Sequence, residues 1–453
     1  MEVIYYFFCF IHKTLKKAFG KENNNKNLEF VDITKNDYDE NFNVNINKNS
    51  FISSTTIDKY KLNHFYPTEN PIIKNTSKHL KRSYKSNLHN PKKDLRPVEN
   101  LWKSFIERAE IPHGYKNEGL FFGGFIKSNI NNWCLPSWVW TNAALVKYFC
   151  SINDLKKAEK LTDILLKKQD IDGSWEVRSE FHNEKEIPIK APNDSSYIAN
   201  NALIETYQLT KDTKYLLAAK KCADWVMAKS REDGLVWTGY DVLNKKWLKD
   251  FIIVDTGFTA GFLANLGKIT NDEKYLNFLV KFVDRFIELF FDPDTGGFCT
   301  SIDKENKKYG GVFARGQAWA LEGLIPTFQS IPNERLKTTI EKNIAYLIKN
   351  QLPNGGWSYN ITRPYLGEDS KGVPVITKAL LDWNRISPNK EIYNSAKKGI
   401  QWCKKKTSRS GDSAGGIFSY NAEGAIVHSN YTSTALIYSS AYALQVENQL
   451  KNE

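Results

Sequence analysis

The sequence has few of the groups from which metal, redox or disulfide chemistry is built. Its six cysteines, Cys9, Cys134, Cys150, Cys222, Cys299 and Cys403, share no regular spacing and form no CxxC. That excludes a disulfide framework and a zinc ribbon, and fits small buried hydrophobes in a reducing compartment. Histidine is scarce: only His113, His182 and His428 fall beyond residue 98. No Walker loop, dinucleotide fingerprint, HExxH or EF-hand pattern is visible, so neither a metal nor a cofactor is expected. Long hydrophobic runs are missing too. Val3 to Ile11 is too short to cross a bilayer. Its lysines, Lys13, Lys16 and Lys17, follow the run where a secretory signal would place them before it. The expectation is a cytoplasmic protein with no transmembrane segment, whose N-terminus makes at most a weak interfacial contact with a membrane.

Charge is present but badly placed for nucleic acid. Of the formal net charge of +12, residues 1–98 hold +7, from 17 Lys and Arg against 10 Asp and Glu. A nucleic-acid binder concentrates its charge on a folded basic face. Here it lies in an Asn- and Lys-rich stretch with no lasting apolar period, read as a mostly disordered tail over 1–98. No nucleic-acid partner is expected.

From Glu99 the pattern changes. Leu101, Trp102, Phe105 and Ile106 recur at helical spacing, and helices of two kinds then alternate along 99–453. One kind is rich in small residues and apolar on every side: 136–150, 195–209, 256–268, 315–329, 370–385 and 431–446. The other carries a lysine stripe: 99–110, 154–169, 213–229, 272–290, 333–350 and 389–406. All-round apolar helices belong inside and striped ones outside. Gly and Ala in Gly257-Phe258-Thr259-Ala260-Gly261 mark close backbone approach, and Asn271 or Asp272 is the expected cap of the helix that follows.

Between each outer helix and the next inner one lies a loop with Gly and an aromatic, such as Asp172-Gly173-Ser174-Trp175, Asp233 to Trp237 and Asn354-Gly355-Gly356-Trp357. Glycine permits a positive-φ turn, and the aromatic packs the loop down. Inner helices start about 55 to 61 residues apart, the period of a helical-hairpin array. An open array needs polar terminal caps, yet the last inner stretch is as apolar as the rest. The expected fold is therefore all-α: six hairpins closed into an (α/α)6 toroid.

In such a ring the inner N-termini gather at one mouth, and their free N–H groups attract anions. The residues expected there include Trp138, Trp140, Asn193, Asp194, Asp255, Arg315, Gln317, Glu368, Asp369 and Tyr431, with Trp237 close by in its loop. Carboxylates, an arginine and aromatic rings suit a carbohydrate partner, and an anionic one in particular. Each acid has a plainer reading. Asp194, Asp255 and Asp369 stand where N-cap carboxylates are favoured, and Arg315 and Gln317 could do no more than tie helices together.

Asp255-Thr256, Ala314-Arg315-Gly316-Gln317-Ala318-Trp319 and Asp369-Ser370-Lys371-Gly372 each open a repeat, and together they resemble the unsaturated glucuronyl and rhamnogalacturonyl hydrolases. Related toroids of exopolysaccharide biosynthesis fit comparably. The resemblance covers about residues 100–446 and implies a six-hairpin glycosidase toroid. It implies Asp255 as general acid/base, Asp194 as second active-site carboxylate and Gln317 as a sugar contact. Arg315, Trp138, Trp140, Trp237, Asp369 and Tyr431 complete the candidate substrate site. In that family an Asp protonates C4 of a 4,5-unsaturated uronyl residue, water adds at C5, and the hemiketal opens. Asn193 and the segment Cys299 to Lys308 stand where the family carries histidines.

Three other functions fit parts of the pattern. One is a non-catalytic glycan-handling protein of polysaccharide biosynthesis. An acylglucosamine epimerase shares the architecture but relies on paired histidines. Gln169 to Trp175 and Gln351 to Trp357 match the Gln-xxx-Gly-x-Trp pattern of triterpene cyclases, where it is a structural clamp; the acidic cyclase cluster is absent from the repeats.

Overall fold

The computed structural model describes residues 94–452 apart from 112–117, 128–131, 136–138, 177–188, 243, 250, 365–366, 411–413 and 419–433. The tail and its apolar run lie outside these residues, apart from 94–98. Among the described residues no helix is long and apolar enough to cross a membrane.

Twelve helical runs alternate as expected. The outer helices are α1 (Val98–Arg108), α3 (Leu155–Lys167), α5 (Thr213–Ala228), α7 (Glu273–Phe290), α9 (Glu334–Lys349) and α11 (Lys390–Lys406). The inner ones are α2 (Val139–Ser151), α4 (Pro192–Ile198), α6 (Gly257–Thr270), α8 (Ala314–Ser330), α10 (Gly372–Asn384) and α12 (Ile437–Asn452). α4 continues through a π-helical turn, Ala199–Ile204, into Glu205–Thr210. Each inner helix packs on the next, and α12 packs on α2, which closes an (α/α)6 ring. The first outer helix completes the hairpin of the last inner one. At this seam Trp102 Nε1 donates to Thr407 Oγ1 at 2.9 Å, and Lys404 pairs with Glu99 and Glu447.

Burial follows the two patterns. In α7 one stripe is covered, from Tyr275 and Leu279 through Phe282 and Phe286 to Phe290. In α2 ten of thirteen residues are buried, all round the helix. Such a helix has no solvent face, so it must lie between neighbours. α6 and α8 meet backbone to backbone: a Cβ at Gly323 would lie 2.1 Å from the Gly257 carbonyl oxygen.

The loops repeat one design. Gly173, Gly234, Gly296, Gly355 and Gly415 all hold φ between +85° and +97°. Gln169 Nε2 donates to the carbonyls of Gly173 and Ala218, and Gln351 Nε2 to those of Gly355 and Ser395. Trp175 and Trp357 each donate Nε1 to a carbonyl ten residues upstream, Leu165 and Leu347. The two cyclase-like stretches are thus clamps that fasten a loop to the next outer helix.

Two features depart from the expected pattern. The loops form three three-stranded antiparallel sheets, one of which joins Phe251–Ile253, Ser301–Asp303 and Lys308–Tyr309. The last inner helix starts at Ile437 rather than 431, behind a strand at Thr434–Leu436.

Candidate active site

Capping divides the two kinds of helix. Side-chain caps are made by the outer helices: Asp154, Asp212, Asp272, Asn333 and Asn389 each accept from a first-turn N–H. No N-cap side chain bonds the start of α4, α6, α8 or α10. Asp194 is the third residue of α4, and Asp255 sits in the 3₁₀ turn Val254–Thr256 that leads from a strand into α6. Asp194 makes no side-chain bond to a first-turn N–H, whereas the Asp255 carboxyl accepts from the N–H groups of its own 3₁₀ turn.

The ring brings these two acids together. Each residue is half-buried, with protein packed around its carboxyl. Burial, and then the charge of Asp255, push Asp194 up to about 8. Burial also raises Asp255, to about 6, against a hydrogen bond from Asn193 and the nearby positive charge of Arg315. Such values belong to the pair. Both carboxyls are thus held above the usual aspartate range, which lets a protonated and an ionised carboxyl stand side by side near neutral pH.

Arg315 stands in an aromatic cage. Its guanidinium lies 5.8, 5.3 and 5.3 Å from the ring centres of Phe313, Trp319 and Tyr359, and 3.7 Å from Asp369. Asp369 is fully buried and accepts from the Lys371 N–H, so it braces Arg315 and the start of α10. It cannot reach a substrate, which corrects its place among the sugar contacts. Trp140, in the first turn of α2, is half-buried with its ring edge-on to Tyr438 at 5.4 Å.

Gln317 needs the same correction. It is wholly buried, and Oε1 accepts from Phe298 N and Asn343 Nδ2, while Nε2 donates to the carbonyls of Phe298 and Phe313. All four hydrogen-bonding positions are taken, so none is left for a sugar. Asn142 holds Phe121 in the same way three hairpins away, across the ring. Gln317→Leu should therefore lower stability by roughly 3 kcal/mol, because it strands several buried partners. Thermal unfolding of the variant measures this. A loss of turnover at unchanged melting temperature would instead return Gln317 to the site.

Trp237 carries Arg231 and Lys249 against its ring, at 5.0 and 5.3 Å, and among the described residues no contact ties it to the acids. Trp138 and Tyr431 lie outside the described residues. Tyr438 was missed: it occupies the first turn of α12, the place expected for Tyr431, because the helix begins six residues later than its apolar pattern. Tyr359 and Phe313 were missed as well. They show no periodic signal and reach Arg315 only through tertiary packing. Among the described residues no cluster of His, Cys, Asp and Glu could hold a metal ion.

The raised acids have a stability consequence. An unfolded aspartate titrates near about 3.9, so above that pH the folded chain keeps protons that the unfolded chain has released. Stability should therefore fall as pH rises from about 4 toward about 8. Melting temperatures recorded across this window should decline, and Asp194→Asn should shallow the slope. An unchanged slope in that variant would mean other groups set it.

A closed ring of six hairpins is the fold of the (α/α)6 glycosidase toroids. The chain belongs to Glycosyl Hydrolase Family 88, whose model matches residues 127–442. It is similar to the unsaturated chondroitin disaccharide hydrolase of Streptococcus pyogenes serotype M1, 22% identical over 37% of this chain and 44% of that protein. It is also similar to the unsaturated glucuronyl hydrolase of Formosa agariphila, 21% identical over 70% of this chain and 81% of the other. The chain spans about half the length of the streptococcal relatives it matches. Among solved structures, an unsaturated glucuronyl hydrolase specific for heparin superposes with TM-score 0.60 at 15% identity, covering 78% of this chain and 97% of that one. An α-mannanase of Bacteroides thetaiotaomicron gives 0.58 at 12% identity over 79% and 97%. Such likeness at low identity is a likeness of fold.

Proposed function

We propose that the protein is a hydrolase that removes a terminal 4,5-unsaturated uronyl residue from an acidic oligosaccharide. The observation that carries this reading is the Asp194–Asp255 pair, two carboxyls brought within electrostatic reach of each other at the starts of adjacent inner helices and both held above the usual aspartate range. Family membership and the names of the relatives supply the substrate class.

The chemistry asks for an acid and a base at one place. The protonated pair gives its proton to C4 of the double bond, and positive charge develops at C5 beside the ring oxygen. The carboxylate then takes a proton from water as the water oxygen bonds C5. The resulting hemiketal opens, the bond to the leaving sugar breaks, and the pair is left with one proton as before. Asp255 is the general acid/base, and Asp194 the partner that keeps a proton available. Arg315, held by its cage and Asp369, faces the uronate carboxylate together with the free N–H groups of the inner helices. Trp140 and Tyr438 offer a wall for the next sugar. The same reading places the enzyme in the cytoplasm, in keeping with four free thiols at Cys150, Cys222, Cys299 and Cys403.

The test is direct. Purified protein is mixed with unsaturated uronyl oligosaccharides made by polysaccharide lyases, and the ultraviolet absorbance of the double bond is followed. The expected result is loss of absorbance with release of the shortened sugar. Unchanged absorbance across glucuronyl, galacturonyl and rhamnogalacturonyl substrates would leave the ring a glycan-binding protein.

A further inference from the structure

The ring has a second interior space that the acid pair does not use. A cavity of about 270 Å³ lies among the C-terminal halves of the inner helices, reaching Lys147 on α2, Asn265 on α6, Gln329 on α8 and Asp382 on α10. Its roof is Tyr197 and Phe258, three residues beyond Asp194 and Asp255, with ring centres 4.7 Å apart. That is one helical turn below the acids. The cavity therefore faces the end of the ring opposite the proposed catalytic mouth.

Charged side chains line it, and two of them are bare. Glu322 accepts from the Tyr442 hydroxyl at 2.5 Å, and Lys378 bonds both oxygens of Asp382. Lys147 and Glu205 form no hydrogen bond or ion pair with any described residue. Burial pushes the Lys147 ammonium down, yet Glu205, Glu322 and Asp382 outweigh it and hold the group above its ordinary value, so it stays charged. An interior ammonium and an interior carboxylate without partners are unfavourable unless something in the cavity meets them.

The lining restricts what that is. The amides of Asn200 and Asn265, joined at 2.9 Å, and of Gln329 at the rim add donors and acceptors. Phe258, Ile325 and Pro326 give an apolar wall. An anion would meet three carboxylates, and a cation would meet Lys147 and Arg385. A neutral molecule with neighbouring hydroxyls can accept from Lys147 and donate to Glu205 at once. The volume equals on the order of nine water molecules' share of the liquid, the scale of one sugar ring. We propose that this cavity is a second carbohydrate site, which takes a neutral polyol of monosaccharide size between Lys147 and Glu205.

D-glucose is the probe, titrated calorimetrically into the full chain, with D-glucuronate as the charged comparison. Saturable binding of glucose, and none of glucuronate in the Asp255→Asn background, is expected. Lys147→Met or Glu205→Gln should weaken it about tenfold or more, by loss of a charge-assisted hydrogen bond. Gln329→Trp, an exposed rim change that leaves the buried charges in place, should block entry while turnover at the other mouth continues. Absence of saturable glucose binding would overturn the proposal, as would binding that survives Gln329→Trp but disappears in Asp194→Asn. Because binding is read without turnover, an inactive catalytic mouth would not affect the result.

Discussion

Asp255→Asn should lower turnover of an unsaturated uronyl substrate by about three orders of magnitude, within the range that a positioned acid or base contributes. The substitution keeps the shape of the side chain, and the amide oxygen of asparagine can still accept the backbone N–H groups of the 3₁₀ turn, so the fold should not suffer. The melting temperature should hold or rise, because a buried, partly charged carboxyl is replaced by a neutral amide. Asp194→Asn should act differently. In the parent enzyme, activity should rise as the pair loses its first proton near pH about 6 and fall as it loses the second near about 8. Without Asp194 the remaining acid titrates alone, and the alkaline limb should move down toward about 6. The kcat profiles of the two variants, with their thermal unfolding curves, separate the roles. If both lose melting temperature while the pH profile keeps its shape, the acids are structural and the catalytic reading fails.

The ring itself was largely legible in the sequence, because burial leaves a compositional mark on a helix. The lysine stripe of α7 and the all-round apolar surface of α2 identify outside and inside before any contact is known. Five of the six inner helices begin within three residues of their expected starts. α12 is the exception, since the stretch before Ile437 is equally apolar but is spent partly on a strand that pairs with Gly124–Ile126. The small sheets were not legible: with two to four residues per strand, no alternation can establish itself. At the site, the location of the acids was readable, whereas the division of labour was not. Asp194, Gln317 and Asp369 all occupy or adjoin first turns of inner helices and look alike in sequence. Only packing distinguishes an acid open to the bowl from an amide with four partners or a carboxylate sealed beneath an arginine.

Gly323→Ala should be the most damaging single methyl in the ring. α6 and α8 approach so closely that the new Cβ would lie 2.1 Å from the Gly257 carbonyl oxygen and 2.9 Å from its carbon. The obstacle is backbone inside a continuous inner wall, so no rotamer change relieves it and the helices must part. A destabilisation of roughly 4 kcal/mol is expected, at the severe end of what core overpacking produces. Gly267→Ala, on the same helix pair's outer side, is the control. There the new methyl meets side-chain atoms alone, Leu276 Cδ2 at 2.5 Å and Cγ at 2.9 Å and Tyr275 Cβ at 3.6 Å, and replacing a helical glycine by alanine returns up to about 1 kcal/mol of helix propensity. Gly261→Ala should resemble Gly323→Ala, since its methyl would fall 2.5 Å from the Glu322 carbonyl oxygen. Equal melting temperatures for the Gly323 and Gly267 variants would mean that α6 and α8 are not locked together. The lock bears on catalysis as well as stability. Gly257 lies two residues after Asp255 at the foot of α6, and Arg315 lies one residue into α8, so helices driven apart carry the acid away from the arginine. Any Gly323→Ala protein that folds at low temperature should therefore show a weaker KM for the uronyl substrate in addition to its lower melting point.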